Sequence, residues 1–281
     1  MTTVLDIQRF KDEGRRFAVL TAYDFLSARI LDEAGIPVLL VGDSLGMVML
    51  GHPTTLPVTL DDMLHHARAV ARGSRQALLV GDLPFMSYQV STEQAIASAG
   101  RFIQEAGMHA VKLEGGGPAI EITRRLAEIG IPVMGHLGLT PQSVHTMGGF
   151  KVQGKTEAQA ARIMSDAKAL EQAGAFSVVL EGMPSRLANT ITQTLRIPTI
   201  GIGAGPGTDG QVLVLHDMLG LTTGKAPKFV KRYANLAEDI ARAATAYSDD
   251  VRTGKFPGPE HEYSANGSAP AKDREEVRYG G

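Results

Sequence analysis

The chain contains 281 residues, of which 43% are hydrophobic and 21% are charged, as in an ordinary globular protein. It has no cysteine, which excludes disulfides, thiolate–zinc sites and cysteine nucleophiles. The formal net charge is −2, with both signs interspersed, so we expect neither nucleic acid nor a membrane surface as a partner. No apolar run approaches the roughly 20 residues that span a bilayer. The N-terminus lacks the apolar stretch of a signal peptide, so we expect a cytoplasmic protein.

Eight short apolar runs recur along the chain. Each is too short for a helix and rich in Val, Ile and Leu, which is typical of strands buried on both faces of a parallel sheet. In chain order the predicted strands are 17–21, 38–41, 77–80, 110–113, 133–134, 176–180, 199–202 and 212–215.

Helix signals separate these strands. An additional helix is predicted at 3–13, before the first strand, where it would close the bottom of the fold. A capping box at Ser91-Thr92-Glu93-Gln94 begins a helix that ends at Ala106, before Gly107. Three further helices are predicted by similar punctuation: one from Pro118 to about Ile129, one between Thr156 and Gly174, and one with Pro184 in its first turn.

Eight repeats of strand and helix allow two architectures, a closed barrel or an open doubly wound sheet. The even spacing and the count of eight favour the barrel. We therefore predict an α/β protein, a (β/α)8 TIM barrel over residues 1–257 with an extra N-terminal helix. From residue 258 the composition changes to Pro, Gly, Ser, Asn and scattered charges, which predicts a disordered tail over 258–281.

Four of the predicted strands are followed, within two residues, by an acidic residue that has a glycine beside it in the sequence. These residues are Asp43, Asp82, Glu114 and Glu181. Each could serve as a helix N-cap or turn residue, but that explanation weakens for four acids together and fits Glu poorly. All four belong to the C-terminal rim, where barrel active sites are built. Carboxylates at such a rim match the oxygen preference of Mg2+.

Three further features of the rim leave alternatives open. Lys112 lies two residues before Glu114, so the two side chains share one face of the strand. The role of Lys112 is that of an ion-pair partner, an anion clamp or a Schiff-base amine. His136 follows the fifth strand, and this position fits either a structural histidine or a substrate contact. The glycine-rich loop at 201–207 is a weak phosphate-binding signal and fits equally well a loop that passes close to a ligand.

Seven segments together resemble a known family, and the similarity runs from about Phe17 to Pro257. The segments are Thr21-Ala22-Tyr23-Asp24, Val41-Gly42-Asp43-Ser44-Leu45-Gly46, Leu56-Pro57-Val58-Thr59, Gly81-Asp82-Leu83-Pro84-Phe85-Met86, Lys112-Leu113-Glu114-Gly115-Gly116, Gly135-His136-Leu137-Gly138-Leu139-Thr140-Pro141-Gln142-Ser143, and Gly201-Ile202-Gly203-Ala204-Gly205. With these motifs the sequence resembles the ketopantoate hydroxymethyltransferases (3-methyl-2-oxobutanoate hydroxymethyltransferases) of pantothenate synthesis.

The resemblance implies a barrel enzyme that transfers a one-carbon unit from 5,10-methylenetetrahydrofolate to C3 of 3-methyl-2-oxobutanoate. It implies a Mg2+ site formed by Asp43, Asp82 and Glu114, with the 2-oxo acid chelating the metal. Substrate contacts at Asp43, Ser44, Asp82, Lys112 and His136, a catalytic base at Glu181 and a homo-oligomer, typically a decamer, also follow from it.

Two other functions stay open. A magnesium-dependent lyase or mutase that acts on 2-oxo acids would share the acids, although the lyases use a catalytic cysteine that this chain lacks. A non-catalytic barrel that binds an oxo acid would keep the metal site but would have no use for Glu181 and Lys112.

Overall fold

The computed structural model describes residues 1–222, 224 and 226–263. Eight parallel strands form a closed barrel, in which neighbours in the chain are neighbours in the sheet and the eighth strand pairs with the first. The strands are β1 (Phe17–Thr21), β2 (Val38–Val41), β3 (Leu78–Asp82), β4 (Ala110–Glu114), β5 (Val133–Gly138), β6 (Ser177–Glu181), β7 (Thr199–Ile202) and β8 (Gly210–Leu213). The predicted barrel is confirmed, and the open sheet is excluded.

Helices connect successive strands, except between β7 and β8. They are α1 (Val4–Asp12), α2 (Phe25–Glu33), α3 (Leu45–Val48), α4 (Leu60–Gly73), α5 (Thr92–Ala106), α6 (Pro118–Glu128), α7 (Val144–Met147), α8 (Glu157–Gln172), α9 (Ser185–Thr194), α10 (Leu215–Met218) and α11 (Leu236–Thr253). Each predicted helix is present. The capping box of α5 is incomplete, because the Gln94 side chain accepts from Val90 N–H and not from Ser91.

The predicted position of the last strand was wrong by two residues. β8 begins at Gly210 and ends at Leu213, whereas Leu215 already belongs to α10. Gly210 pairs with Phe17 of β1, and a Cβ at this position would lie 2.7 Å from the Phe17 ring. The strand therefore begins at a glycine because the ring of the neighbouring strand occupies the space of a side chain.

Side chains alternate along each strand between the barrel interior and the surrounding helices. In β4, Ala110 packs in the inner core, whereas Val111 and Leu113 pack against the helices. Lys112 and Glu114 therefore continue the inward row that begins at Ala110. The same alternation turns the last residues of β3 and β6 inward.

α1 closes the N-terminal end of the barrel, because its buried residues Ile7 and Phe10 join the inner core. The opposite, C-terminal end of the barrel contains a cavity.

Residues 1–234 form one compact unit, and the chain from residue 235 forms a second, which contains α11 and a 3-10 turn at Pro259–His261. Residues 264–281 of the predicted tail lie outside the described residues. No helix in the part of the chain that the structure describes is long and apolar enough to cross a membrane.

Candidate active site

The seven residues singled out from the sequence line a single cavity of about 830 Å³ at the C-terminal ends of the strands. Asp82, Glu114 and Glu181 are the last residues of β3, β4 and β6. The other four are Asp43, Ser44, Lys112 and His136. Strand register brings these residues together, since Asp82 pairs with Lys112 and Glu114 pairs with His136 across adjacent strands.

Three of the acids are buried and form one cluster: Asp43, Asp82 and Glu114 are only 4%, 1% and 7% exposed. Each carboxylate has one oxygen held by a protein donor. Asp43 Oδ2 accepts from Gln142 Nε2 at 3.0 Å, and Glu114 Oε2 accepts from the Gln142 backbone N–H at 3.1 Å. Asp82 Oδ2 accepts from the Asp43 N–H at 3.2 Å. One oxygen of each acid is thus fixed by the fold.

Lys112 supplies positive charge within this cluster. Its Nζ lies 2.8 Å from Asp82 Oδ1 and 3.8 Å from Glu114 Oε1. Burial opposes the charged lysine, but the acids outweigh it and raise the pKa of Lys112, so the side chain remains an ammonium. A protonated amine is a poor nucleophile, and the structure therefore favours an ion-pair or anion-binding role over a Schiff base.

The cluster still carries more negative than positive charge. Burial, Asp82 and Glu114 raise the pKa of Asp43 well above its ordinary value. Burial also raises the pKa of Asp82, despite the neighbouring ammonium. One lysine is therefore insufficient to balance three buried carboxylates.

His136 connects the acid cluster to Glu181. Its Nδ1 lies 3.4 Å from Glu114 Oε1, and its Nε2 lies 3.3 Å from Glu181 Oε2. Burial and Lys112 lower the pKa of His136, but the two carboxylates prevail and raise it to about 9. Glu181 is the most accessible acid of the site, with a side chain that is 15% exposed. It faces the cavity on the far side of the imidazole from Glu114.

Ser44 follows Asp43 at the start of α3, where its hydroxyl makes no helix-capping bond. The hydroxyl lies instead 2.9 Å from Tyr23 Oη, and Ser44 lines the cavity. Burial raises the pKa of Tyr23, so the phenol stays neutral and can hold the serine hydroxyl in place.

Sequence reasoning missed two residues that organise the cluster, Gln142 and Tyr88. Gln142 lies in the 3-10 turn after β5 (Pro141–Ser143), and its side chain also donates to the Leu83 carbonyl at 2.9 Å. Its carbonyl oxygen accepts from Tyr88 Oη at 2.8 Å, which fixes the orientation of the amide. Neither residue ends a strand or carries a charge, so the pattern of acids at strand ends gave no signal for them.

The glycine-rich loop is packed against side chains. A Cβ on Gly203 would lie 2.8 Å from the Phe229 ring, and one on Gly207 would lie 2.8 Å from the Asn189 side chain. A Cβ on Gly205 would collide with Ser185. These glycines are explained by close packing at the edge of the cavity, without a phosphate.

The donor set fits a hard divalent cation. Within residues 1–222, 224 and 226–263, no group of three His, Asp or Glu side chains is arranged to hold a metal by itself. Asp82 Oδ1 and Glu114 Oε1 are buried and accept no hydrogen bond from a backbone or amide group of the described residues, and their neighbours are Lys112 Nζ, at 2.8 and 3.8 Å, and His136 Nδ1, at 3.4 Å from Glu114 Oε1. Buried carboxylate oxygens in a site with excess negative charge are suitable ligands for Mg2+, with the remaining positions left to water and ligand oxygens.

Comparisons with known proteins agree on one family. The sequence model of the family described as ketopantoate hydroxymethyltransferase matches residues 1–259. The 3-methyl-2-oxobutanoate hydroxymethyltransferase of Syntrophus aciditrophicus is 60% identical, over 92% of this chain and 94% of the relative. The enzyme of the same name from Syntrophotalea carbinolica is 58% identical, over 93% of this chain and 98% of the relative.

Solved structures that are similar in fold have much lower sequence identity. A putative phosphonomutase from Burkholderia cenocepacia superposes with a TM-score of 0.61 at 17% identity, over 78% of this chain and 95% of that one. A phosphonopyruvate hydrolase in complex with oxalate and magnesium gives 0.59 at 14% identity, over 94% and 93%. At these identities the similarity concerns the barrel alone.

Proposed function

Because the chain belongs to the ketopantoate hydroxymethyltransferase family, we propose that it transfers a hydroxymethyl group from 5,10-methylenetetrahydrofolate to 3-methyl-2-oxobutanoate. The product is 2-dehydropantoate, and the reaction is the first step of pantothenate biosynthesis. The observation that carries the proposed mechanism is that the acids of the site form two groups. Three buried acids lie on one side of His136, and the more accessible Glu181 lies on the other.

Asp43, Asp82 and Glu114 hold Mg2+ in this proposal. The buried oxygens Asp82 Oδ1 and Glu114 Oε1, which already attract the ammonium of Lys112, and the excess negative charge around Asp43 support this assignment. When bound, the ion supplies a Lewis acid that stabilises the negative charge developing on the 2-oxo group.

Lys112 and Ser44 bind the carboxylate of the oxo acid and thereby orient its C3 carbon. The ammonium of Lys112 is buried, so its attraction for an anion is weakly screened by solvent. Asp43 and Asp82 also face the substrate, because both acids line the cavity. His136 Nε2 lies 3.3 Å from Glu181 Oε2, so a protonated imidazole attracts this carboxylate and orients it towards C3.

Glu181 takes the proton from C3, which leaves the enolate of the oxo acid. Water adds to the methylene carbon of the donor and both of its C–N bonds break, which releases that carbon as formaldehyde and leaves tetrahydrofolate with one water proton on each nitrogen. The enolate carbon attacks the formaldehyde carbon, and the resulting alkoxide takes back the proton held by Glu181 to give the hydroxymethyl group. A general base of this kind contributes typically about 10²- to 10⁴-fold to the rate.

Exchange of the C3 proton in deuterated water tests the first step without the folate. The wild type with Mg2+ and 3-methyl-2-oxobutanoate should exchange this proton, as measured by NMR. Glu181→Gln should abolish exchange but retain binding of Mg2+ and of the oxo acid. Glu157→Gln, at the exposed start of α8, is the matched control and should exchange normally.

Unchanged exchange in Glu181→Gln would remove Glu181 as the base. A wild type that binds the oxo acid but never exchanges the proton would favour the non-catalytic binding barrel.

We also propose a cytoplasmic homodecamer. None of the 18 residues of α11 is buried, and its large apolar residues Ile240, Tyr247 and Val251 recur at helical spacing on one face. Such a face is suited to contact another copy of the chain. Light scattering after size exclusion should give ten copies for the wild type and fewer for Tyr247→Asp. A wild-type monomer would contradict this assembly.

A further inference from the structure

The exposed end of the cavity carries two aromatic–lysine pairs that have no role in binding the oxo acid or in removing its C3 proton. Phe150 and Lys151 lie between α7 and α8, and Lys228 and Phe229 lie after α10. All four line the same cavity as the acids. We propose that these two pairs bind the folate donor, with the phenylalanines against its rings and the lysines against its glutamate carboxylates. This inference rests on the proposed function and specifies where its second substrate binds.

The cavity is large enough to hold a second ligand beside the oxo acid. At about 830 Å³ it lies in the upper range for sites that enclose drug-sized molecules, about 300–1,000 Å³. A five-carbon oxo acid held by the acid cluster leaves most of this volume open. The open part is the part that the two pairs line.

The two phenylalanines offer apolar surface where a flat ring system could bind. Phe150 is 52% exposed and Phe229 is 38% exposed, so both rings present apolar surface that a ligand can cover. Phe229 is held in place from behind by the loop after β7. Gly203 has a φ of +61°, and a Cβ there would lie 2.8 Å from the Phe229 ring. The glycine-rich loop therefore acts as a seat for this ring.

The two ends of the cavity differ in their charged groups. The inner end holds Lys112, His136 and the acids that bind the oxo acid and its metal in the proposed function, and Asp217 of α10 also lines the cavity. At the exposed end, Lys151 and Lys228 form no ion pair with any residue in the described parts of the chain. The ammonium groups of Lys151 and Lys228 therefore attract the anionic tail of an elongated ligand to the exposed end. Folate, with a flat pterin ring and one or more glutamates, is a ligand of this kind.

Steady-state kinetics with methylenetetrahydrofolate carrying one or three glutamates tests the proposal. Lys151→Ala/Lys228→Ala should raise KM for the donor about 2- to 30-fold, the sum of two exposed charge contacts, and should remove any preference for the triglutamate. Phe229→Ala should raise the same KM about 2- to 10-fold through lost ring contact. Both variants should exchange the C3 proton of 3-methyl-2-oxobutanoate, without folate, at the wild-type rate.

Lys168→Ala is the matched control, because Lys168 is exposed on α8 and does not line the cavity. It should leave KM for the donor unchanged. An unchanged donor KM in the double lysine variant would overturn the proposal. Equal loss of proton exchange and donor binding would also overturn it, since the residues would then act on the oxo-acid site or on folding.

A wild type without proton exchange would contradict the proposed function and not this inference. In that case, calorimetric titration with tetrahydrofolate decides the inference separately. Weaker binding to the double lysine variant than to the wild type would support it, and equal binding or no binding to either protein would overturn it.

Discussion

Gln142→Leu should weaken divalent-metal binding although Gln142 is not itself a proposed ligand. Leucine has a similar size but removes the donor to Asp43 Oδ2 and the acceptor for Tyr88 Oη. One hydrogen bond to a buried charge is worth about 1.5–3 kcal/mol. A loss of that size corresponds to about 10- to 100-fold in metal affinity, as is typical when the support of a metal ligand is removed. Titration with Mn2+, followed by electron paramagnetic resonance of the free ion, measures this affinity directly.

Gln89→Leu is the control for this experiment. Gln89 donates to the carbonyl oxygen of Gln142 at 3.1 Å but contacts none of the three acids. Its variant should retain an affinity close to that of the wild type. Wild-type Mn2+ affinity in a folded Gln142→Leu protein would refute the idea that Gln142 positions the acids. Urea unfolding of both variants separates this effect from a general loss of stability.

Three further predictions concern stability and pH. Gly81→Ala should lower the free energy of unfolding by about 1–3 kcal/mol in urea titrations, because its Cβ would collide with the Phe102 ring, and an unchanged midpoint would contradict this. Mg2+ should raise the thermal midpoint of the wild type, and EDTA should reverse the rise. The midpoint of Asp82→Asn should rise less, because one ligand has lost its charge. Equal rises in the two proteins would count against Asp82 as a ligand. In metal-free protein, the stabilisation by protonated His136 should be complete below its ordinary pKa of 6.5 and disappear as pH rises through about 9. The difference in unfolding free energy between wild type and His136→Gln should therefore shrink over that range, and a difference independent of pH would contradict a protonated His136.

Local sequence patterns were enough to predict the barrel and most of the inner site. Strand periodicity decides which side chains face inward, so the spacing of Lys112 and Glu114 alone places them on one face. The position of an acid at the end of a buried strand likewise placed Asp82 and Glu181 at the C-terminal rim. These features depend on local pattern and on parallel topology, both of which are written in short stretches of the chain.

The way the acids are held and the place where the cavity opens could not be predicted from the sequence, because both depend on contacts between distant segments. Gln142 lies 99 residues from Asp43 in the chain, and Phe229 packs on Gly203 across the rim. Such contacts arise when barrel closure brings distant loops together, and no local periodicity encodes the conformation of a loop. The separation of the strand-end acids into a buried cluster and an accessible Glu181 has the same origin. Neighbouring strands and the turn after β5 determine which carboxylates are enclosed, and residue type does not.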